Sequence, residues 1–208
     1  SDYGIVMAEN PANWTDMKAH GFVKPKALTR GRHPSLPYAL VSEFMAALRQ
    51  RDAMAARMME FAILTNVRSG AARQARWQDI DLAAAVWNVP LDHLKDREHR
   101  SEPFRVPLCK PAMDLLRKLE VARQGELVFP GQSAKEPLSD MAPSAVLKRM
   151  SAVDAGRWKD EVTGRPIVLH GFRATFRTWA EEAGRFAHST IEEAMGHTVG
   201  SAAERAYR

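Results

Sequence analysis

The sequence predicts a mainly α-helical domain carrying one small antiparallel β-sheet. Apolar residues recur at helical spacing along most of the chain, two short strand-like segments flank a polar turn, and the composition is ordinary globular, 45% apolar and 26% charged. The 208 residues suffice for one large domain, or a domain with a short appendage.

Residues 1–19 read as the end of a preceding domain, a short amphipathic piece closing near Trp14 and Met17. HGFVKPKALTRGRHPSLP then opens a basic linker over residues 20–36, rich in Pro and Gly and poor in periodic apolar residues. Its Lys24, Lys26, Arg30 and Arg32 can lie along a phosphate backbone, although composition alone fits a merely solvated linker equally well. The main domain is expected over 37–208.

Val41, Phe44, Met45 and Leu48 follow the i, i+3, i+4, i+7 pattern of a helix. Ala55, Met58, Met59, Ala62 and Ile63 repeat it, with Asp52 as the expected N-cap. Trp77 and Ile80 suggest a further helix after Ser69. AAVWNVP (84–90) and EPFRVPL (102–108) read as strands around the turn-like DHLKDREHRS. Helix is expected again from Pro111, with Leu115, Leu116 and Leu119 inward, and once more from Ser139 to Met150. ELVFP reads as a short buried segment and DAGRWKDEVTGRP as a polar loop. Phe172, Phe176, Trp179 and Ala183 outline one apolar helix face closed by Gly184, and Ser189/Glu192 and Ser201/Glu204 each match a capping box.

No apolar run is long enough to span a membrane, and SDYGIVMAENPANW carries no signal-peptide pattern. The single cysteine, Cys109, excludes an internal disulfide framework and fits a reducing cytoplasm, the expected location. Thirty basic residues against 25 acidic give +5, and arginine outnumbers lysine among them. The rigid guanidinium fork grips phosphate, so the balance points toward polyanions, nucleic acid among them.

Seven residues carry potential chemistry. His170, Arg173 and Arg177 share the helix face opposite Phe172, Phe176 and Trp179, where a guanidinium fork and an imidazole one turn apart suit phosphate binding. Arg68 follows an apolar helix and precedes Ser-Gly, placing it at a helix end or tight turn, where an arginine also simply complements the helix dipole. Lys95 lies in the turn between the strands, His197 just after Gly196, and Tyr207 near the last residue. Each alone has an ordinary reading as a solvated charge or turn residue.

In the order Arg68, Lys95, His170, Arg173, His197, Tyr207, the set resembles the active site of the tyrosine recombinases, the phage-integrase family. LTNVRSG resembles its first-arginine box, the strand–Lys–strand ending in VPL its β-hairpin lysine, LHGFRATFRTWA its His-x-x-Arg box, and MGHTVGSAAERAYR its His and Tyr box. The wording is most like integrases of prophages and genomic islands, where ENPA and LPY also recur. The resemblance covers roughly residues 35–208 and implies the integrase catalytic-domain fold, preceded by the end of a core-binding domain and truncated just after the nucleophile.

The resemblance further implies site-specific cleavage and rejoining of DNA through a 3′-phosphotyrosine at Tyr207, integrating or excising a mobile element. Arg68, Arg173 and His197 would hold the transition-state charge, Lys95 would protonate the leaving 5′-oxygen, and His170 would support phosphate binding and proton transfer. The implied partners are double-stranded attachment sites, a homotetramer on DNA, and an excisionase or DNA-bending protein, with no cofactor or metal. Two departures stand out: Ala71 occupies the position where the family usually has an acidic residue, for which Asp79 is a possible substitute, and the turn bearing Lys95 is longer than usual. Competing readings are type IB topoisomerase-like nicking and resealing, a catalytically impaired DNA-binding module of the same fold, and a metal hydrolase using the seven histidines, which shows neither i, i+4 histidine spacing nor an acidic cluster.

Overall fold

Helices supply most of the architecture, and the second of them sits at its centre. The computed structural model describes residues 32–94, 97–154, 156–182 and 186–197. A single turn of 3₁₀-helix at Tyr38–Leu40 leads into α1 (Val41–Arg49), which buries Phe44, Met45 and Leu48 as the periodicity predicts. Helix α2 (Met54–Thr65) packs against α1 and its other helical neighbours, and its Ala56, Met58, Met59 and Phe61 are fully enclosed. Its N-cap is Ala53 in extended backbone with no side-chain cap, so Asp52 does not play the expected part. Its C-cap is Asn66 in the left-handed region, φ 54°, a conformation that asparagine accepts more readily than most residues.

The helix expected after Ser69 is short. After α3 (Ser69–Arg73) the chain turns through 3₁₀ geometry at Trp77–Asp79 and enters β1 (Ile80–Asp81). The ELVFP segment competes for the backbone here: Trp77 N donates to Glu126 O at 3.0 Å and Val128 N to Ala75 O at 2.9 Å. Strands β2 (Val86–Val89) and β3 (Phe104–Pro107) complete a three-stranded antiparallel sheet in the order β1-β2-β3. Trp87 faces Ile80 on one side and Val106 on the other, presenting the sheet's apolar face to the core. The β2–β3 connection contains 3₁₀ turns at Leu91–His93 and Arg97–His99.

Helix α4 (Lys110–Val121) starts with a proline in its first turn and buries Leu115 and Leu116. Helix α5 (Ala142–Val153), α6 (Gly171–Glu182) and α7 (His188–Ala194) follow. Aromatic contacts tie the layers together. Phe61 of α2 meets Trp87 and Phe129, with ring centroids 5.1 and 5.3 Å away, while Phe44 of α1 meets Trp158 and Phe172 at 5.2 and 4.8 Å.

Two segments read as exposed are in fact structural. Pro34, Ser35 and Leu36, the last residues of the expected linker, are buried. The polar loop before α6 buries Trp158 and Asp160 completely. Asp160 Oδ1 accepts from Val162 N, Thr163 N and Thr163 Oγ1, and its Oδ2 accepts from Ser35 N at 2.9 Å, so the loop is organised around one carboxylate that straps down residues 34–36. Among the described residues no helix is long and apolar enough to cross a membrane.

Candidate functional site

Helix α6 brings the first pair of site residues to the domain. His170 precedes its first residue, and Arg173 lies within its first turn. The chain can enter α6 so tightly because residue 171 is glycine: a Cβ there would stand 2.0 Å from Pro34 O. The same approach sets His33 beside His170, ring centroids 4.5 Å apart in an edge arrangement.

Arg173 is 5% exposed, and its guanidinium knots three elements together. It donates to Asn66 O at the end of α2, to Met195 O after α7 at 2.6 Å, and faces His197 Nε2 at 2.9 Å. Burial and the neighbouring Arg68 lower its pKa to about 10, which leaves it cationic at neutral pH. Arg68 caps α3 in extended backbone and is half-buried, and among the described residues no hydrogen bond or ion pair holds its guanidinium. The cleft it lines with Arg173 also includes Ala71, His93, Leu94 and Phe104. Asp79 does not substitute for a carboxylate at position 71: its Oδ2 is buried without a hydrogen-bond partner, and among the described residues it makes no bond to Arg68.

His170 is exposed, yet its pKa falls from 6.5 to about 4. Loss of hydration is the largest cause, followed by repulsion from His33, Arg173, Arg68 and His197. Arg68, Arg173 and His197 therefore act electrostatically on His170, while the charge of Glu192 partly offsets theirs at Arg173.

His197 is positioned from both sides. Gly196 adopts φ +64°, and a Cβ there would meet the Phe104 ring at 2.9 Å, so β3 and the turn after α7 close directly on one another. Arg100 adds a bond to Gly196 O at 2.9 Å. Glu192 then holds the ring, with its Oε2 2.7 Å from His197 Nδ1. The predicted Ser189/Glu192 capping box is not formed: Ala187 caps α7 without a side-chain bond, and Glu192 turns to His197 and Arg177 instead. Glu192 was legible only as a cap, because its distance from His197 in space is set by the turn at Gly196.

Arg177, which the sequence offers as a DNA-facing cation, is ion-paired to Glu181 at 2.8 Å and Glu192 at 3.3 Å, with its side chain 41% exposed. Arg32 is exposed. Lys24, Lys26, Arg30, Lys95 and Tyr207 lie outside the described residues, as do Ala183, Gly184 and the Ser201/Glu204 pair. Leu94, next to Lys95 in sequence, lines the cleft with Arg68 and Arg173. The opposite face of α6 carries Phe172, Phe176 and Trp179 along an apolar groove of about 250 Å³, with Trp179 43% exposed rather than buried as the face pattern suggests.

The model of the phage integrase family matches residues 36–208. The chain belongs to the phage integrase family. It is 31% identical over 175 residues to prophage integrase IntZ of Escherichia coli (strain K12), covering 83% of this chain and 40% of that protein. It is likewise 31% identical over 192 residues to the integrase of Enterobacteria phage P4, covering 86% and 42%. The chain thus spans about two-fifths of the length of these curated relatives. The Tn1549 transposon integrase, solved in complex with circular intermediate DNA, superposes with a TM-score of 0.64 at 16% identity, over 82% of this chain and 61% of that one. A lambda integrase tetramer bound to a Holliday junction gives 0.60 at 16% identity, over 89% and 55%. This integrase-family domain therefore has the mainly α, small-sheet catalytic fold that its sequence predicts.

Proposed function

We propose that this integrase-family domain is the catalytic part of a site-specific DNA recombinase acting through a 3′-phosphotyrosine. The observation that carries this is that Arg173, bonded to His197 Nε2 and lining one cleft with Arg68, stands close enough with both of them to His170 for their charges to add to burial in lowering its basicity. Such a cluster has the charge and donor geometry to hold a phosphodiester, and its mutual repulsion is relieved when an anion binds.

In this reading Tyr207 Oη attacks the scissile phosphorus, the P–O5′ bond breaks, and the 5′-oxygen leaves as a hydroxyl carrying a proton from Lys95. His170, neutral at physiological pH, has a lone pair free to accept the tyrosine proton. Arg68 and Arg173 neutralise charge on the non-bridging oxygens, aided by His197 once its Nε2 has taken up a proton. Attack by a 5′-hydroxyl of a second duplex reverses the step. Phosphoester energy is conserved throughout, so the reaction draws on neither nucleotide hydrolysis nor a metal. Four copies on paired attachment sites, with an excisionase or DNA-bending protein, would complete the exchange in the cytoplasm of the host cell. Residues 1–19 would then end a core-binding domain, and Lys24, Lys26, Arg30 and Arg32 would track the DNA backbone from the linker.

A second reading, a catalytically impaired DNA-binding module, draws support from Ala71, which puts a methyl group where a carboxylate could steady Arg68. One experiment separates the two. Full-length protein mixed with a nicked duplex spanning the element's own attachment site should form an SDS-resistant adduct that disappears in Tyr207→Phe while binding persists. Binding without an adduct favours the impaired module, and an adduct surviving in Tyr207→Phe removes the nucleophile assignment.

A further inference from the structure

We propose that Glu192 is a positioning residue for strand cleavage: its carboxylate holds His197 by Nδ1, so that Nε2 alone faces Arg173 and the phosphate. This rests on the recombinase reading above, but its geometric half stands on the hydrogen bonds themselves. His197 Nε2 lies 2.9 Å from Arg173 Nη2, and a guanidinium can only donate. Nε2 must therefore carry the lone pair, which leaves the ring proton on Nδ1, donated to Glu192 Oε2 at 2.7 Å. The main chain repeats the connection, His197 N donating to Glu192 O at 2.9 Å. One residue thus fixes both the backbone and the ring of the histidine.

Glu192 is itself held. Its other oxygen lies 3.3 Å from Arg177 Nη1, and the side chain is only 17% exposed. The hydrogen bond from His197, with the nearby cations, keeps its carboxyl below the ordinary glutamate value. Arg177 thereby joins the same arrangement as a brace for Glu192. A carboxylate behind a histidine selects its tautomer and orientation, and steadies the imidazolium if the front nitrogen takes a proton. Ala71 brings no carboxylate to the cleft around Arg68, and among the described residues the carboxylate bonded to His197 comes from α7.

The test compares wild-type full-length protein with Glu192→Ala and Glu192→Gln on the nicked attachment-site duplex, alongside spectra of 15N-histidine-labelled protein in which His197→Gln identifies the signal. Wild type should show His197 protonated at Nδ1. Glu192→Ala should lose that single tautomer and form adduct about 10- to 100-fold more slowly, with DNA affinity and melting temperature close to wild type. Glu192→Gln keeps an acceptor without the charge and should fall between them. A single Nδ1-protonated tautomer in Glu192→Ala, or wild-type adduct rates in both variants, overturns the proposal. Should Glu192→Ala fail to fold, a Glu192→Gln variant that melts normally and cleaves at the wild-type rate overturns it equally. If wild type itself forms no adduct, the recombinase reading fails, and the spectra still decide whether Glu192 sets the tautomer.

Discussion

His170 shows how completely neighbours set a side chain's chemistry. In the unfolded chain it takes a proton near pH 6.5, whereas in the fold it stays neutral down to about 4. Between those values the unfolded state binds more protons, so folding stability should fall as pH drops through that window. Urea denaturation at pH 7 and pH 4.5 should show a smaller loss for His170→Gln than for wild type. A phosphodiester in the cluster acts in the opposite direction, raising the basicity of His170. DNA binding near pH 5 should therefore take up protons, measurable by calorimetry in buffers of different ionisation enthalpy, with less uptake in His170→Gln. Arg173 is a different case, because its donors also satisfy buried carbonyls of Asn66 and Met195. Arg173→Ala should slow adduct formation by about 10²–10³ and destabilise the fold by about 1–3 kcal/mol. A normal cleavage rate on the nicked duplex would remove it from the site.

At the scale of elements, the entrance to α6 and the turn after α7 place the chemistry. Gly171 lets the Pro34–Ser35 backbone pass at a distance no Cβ allows, and Asp160 pins that passage through Ser35. Gly171→Ala should cost about 1–3 kcal/mol, since the obstacle is backbone that has little room to shift. Asp160→Ala, which strips acceptors from Ser35, Val162 and Thr163, should cost about 1.5–3 kcal/mol. Chemical denaturation of each variant reads both directly. Helices α1, α2 and α4 were legible from apolar spacing, as were β2 and β3, because a stripe of buried side chains writes its period into the sequence. The region after Ser69 was not. Trp77 and Ile80 are buried as a helical stripe would be, but hydrogen bonds from the distant 126–128 segment hold them in a 3₁₀ turn and strand.

For the whole molecule, charge and fold act together. The net +5 is unevenly used: Arg173 is spent inside the site, Arg49 and Arg57 are paired to the buried Glu60, and Arg177 braces Glu192. Arg68, unpaired among the described residues, remains available to a phosphate. DNA affinity of the full-length protein should fall steeply with salt, log Kd rising linearly with log salt concentration as counterions are released. A flat profile would contradict phosphate-dominated binding.

The sequence by itself determined the fold class, the family and the order of the charged boxes, because each is written in local spacing and residue type. Only the tertiary structure decided which groups serve them. Glu192 reads as a helix cap and becomes the partner of His197, and Asp160 reads as loop polarity and becomes the buried strap. The physical reason is the same in each case. A buried or half-buried polar group must find its partner in space, and the partner is chosen by turns such as those at Gly171 and Gly196, where the chain's approach leaves no room for a side chain.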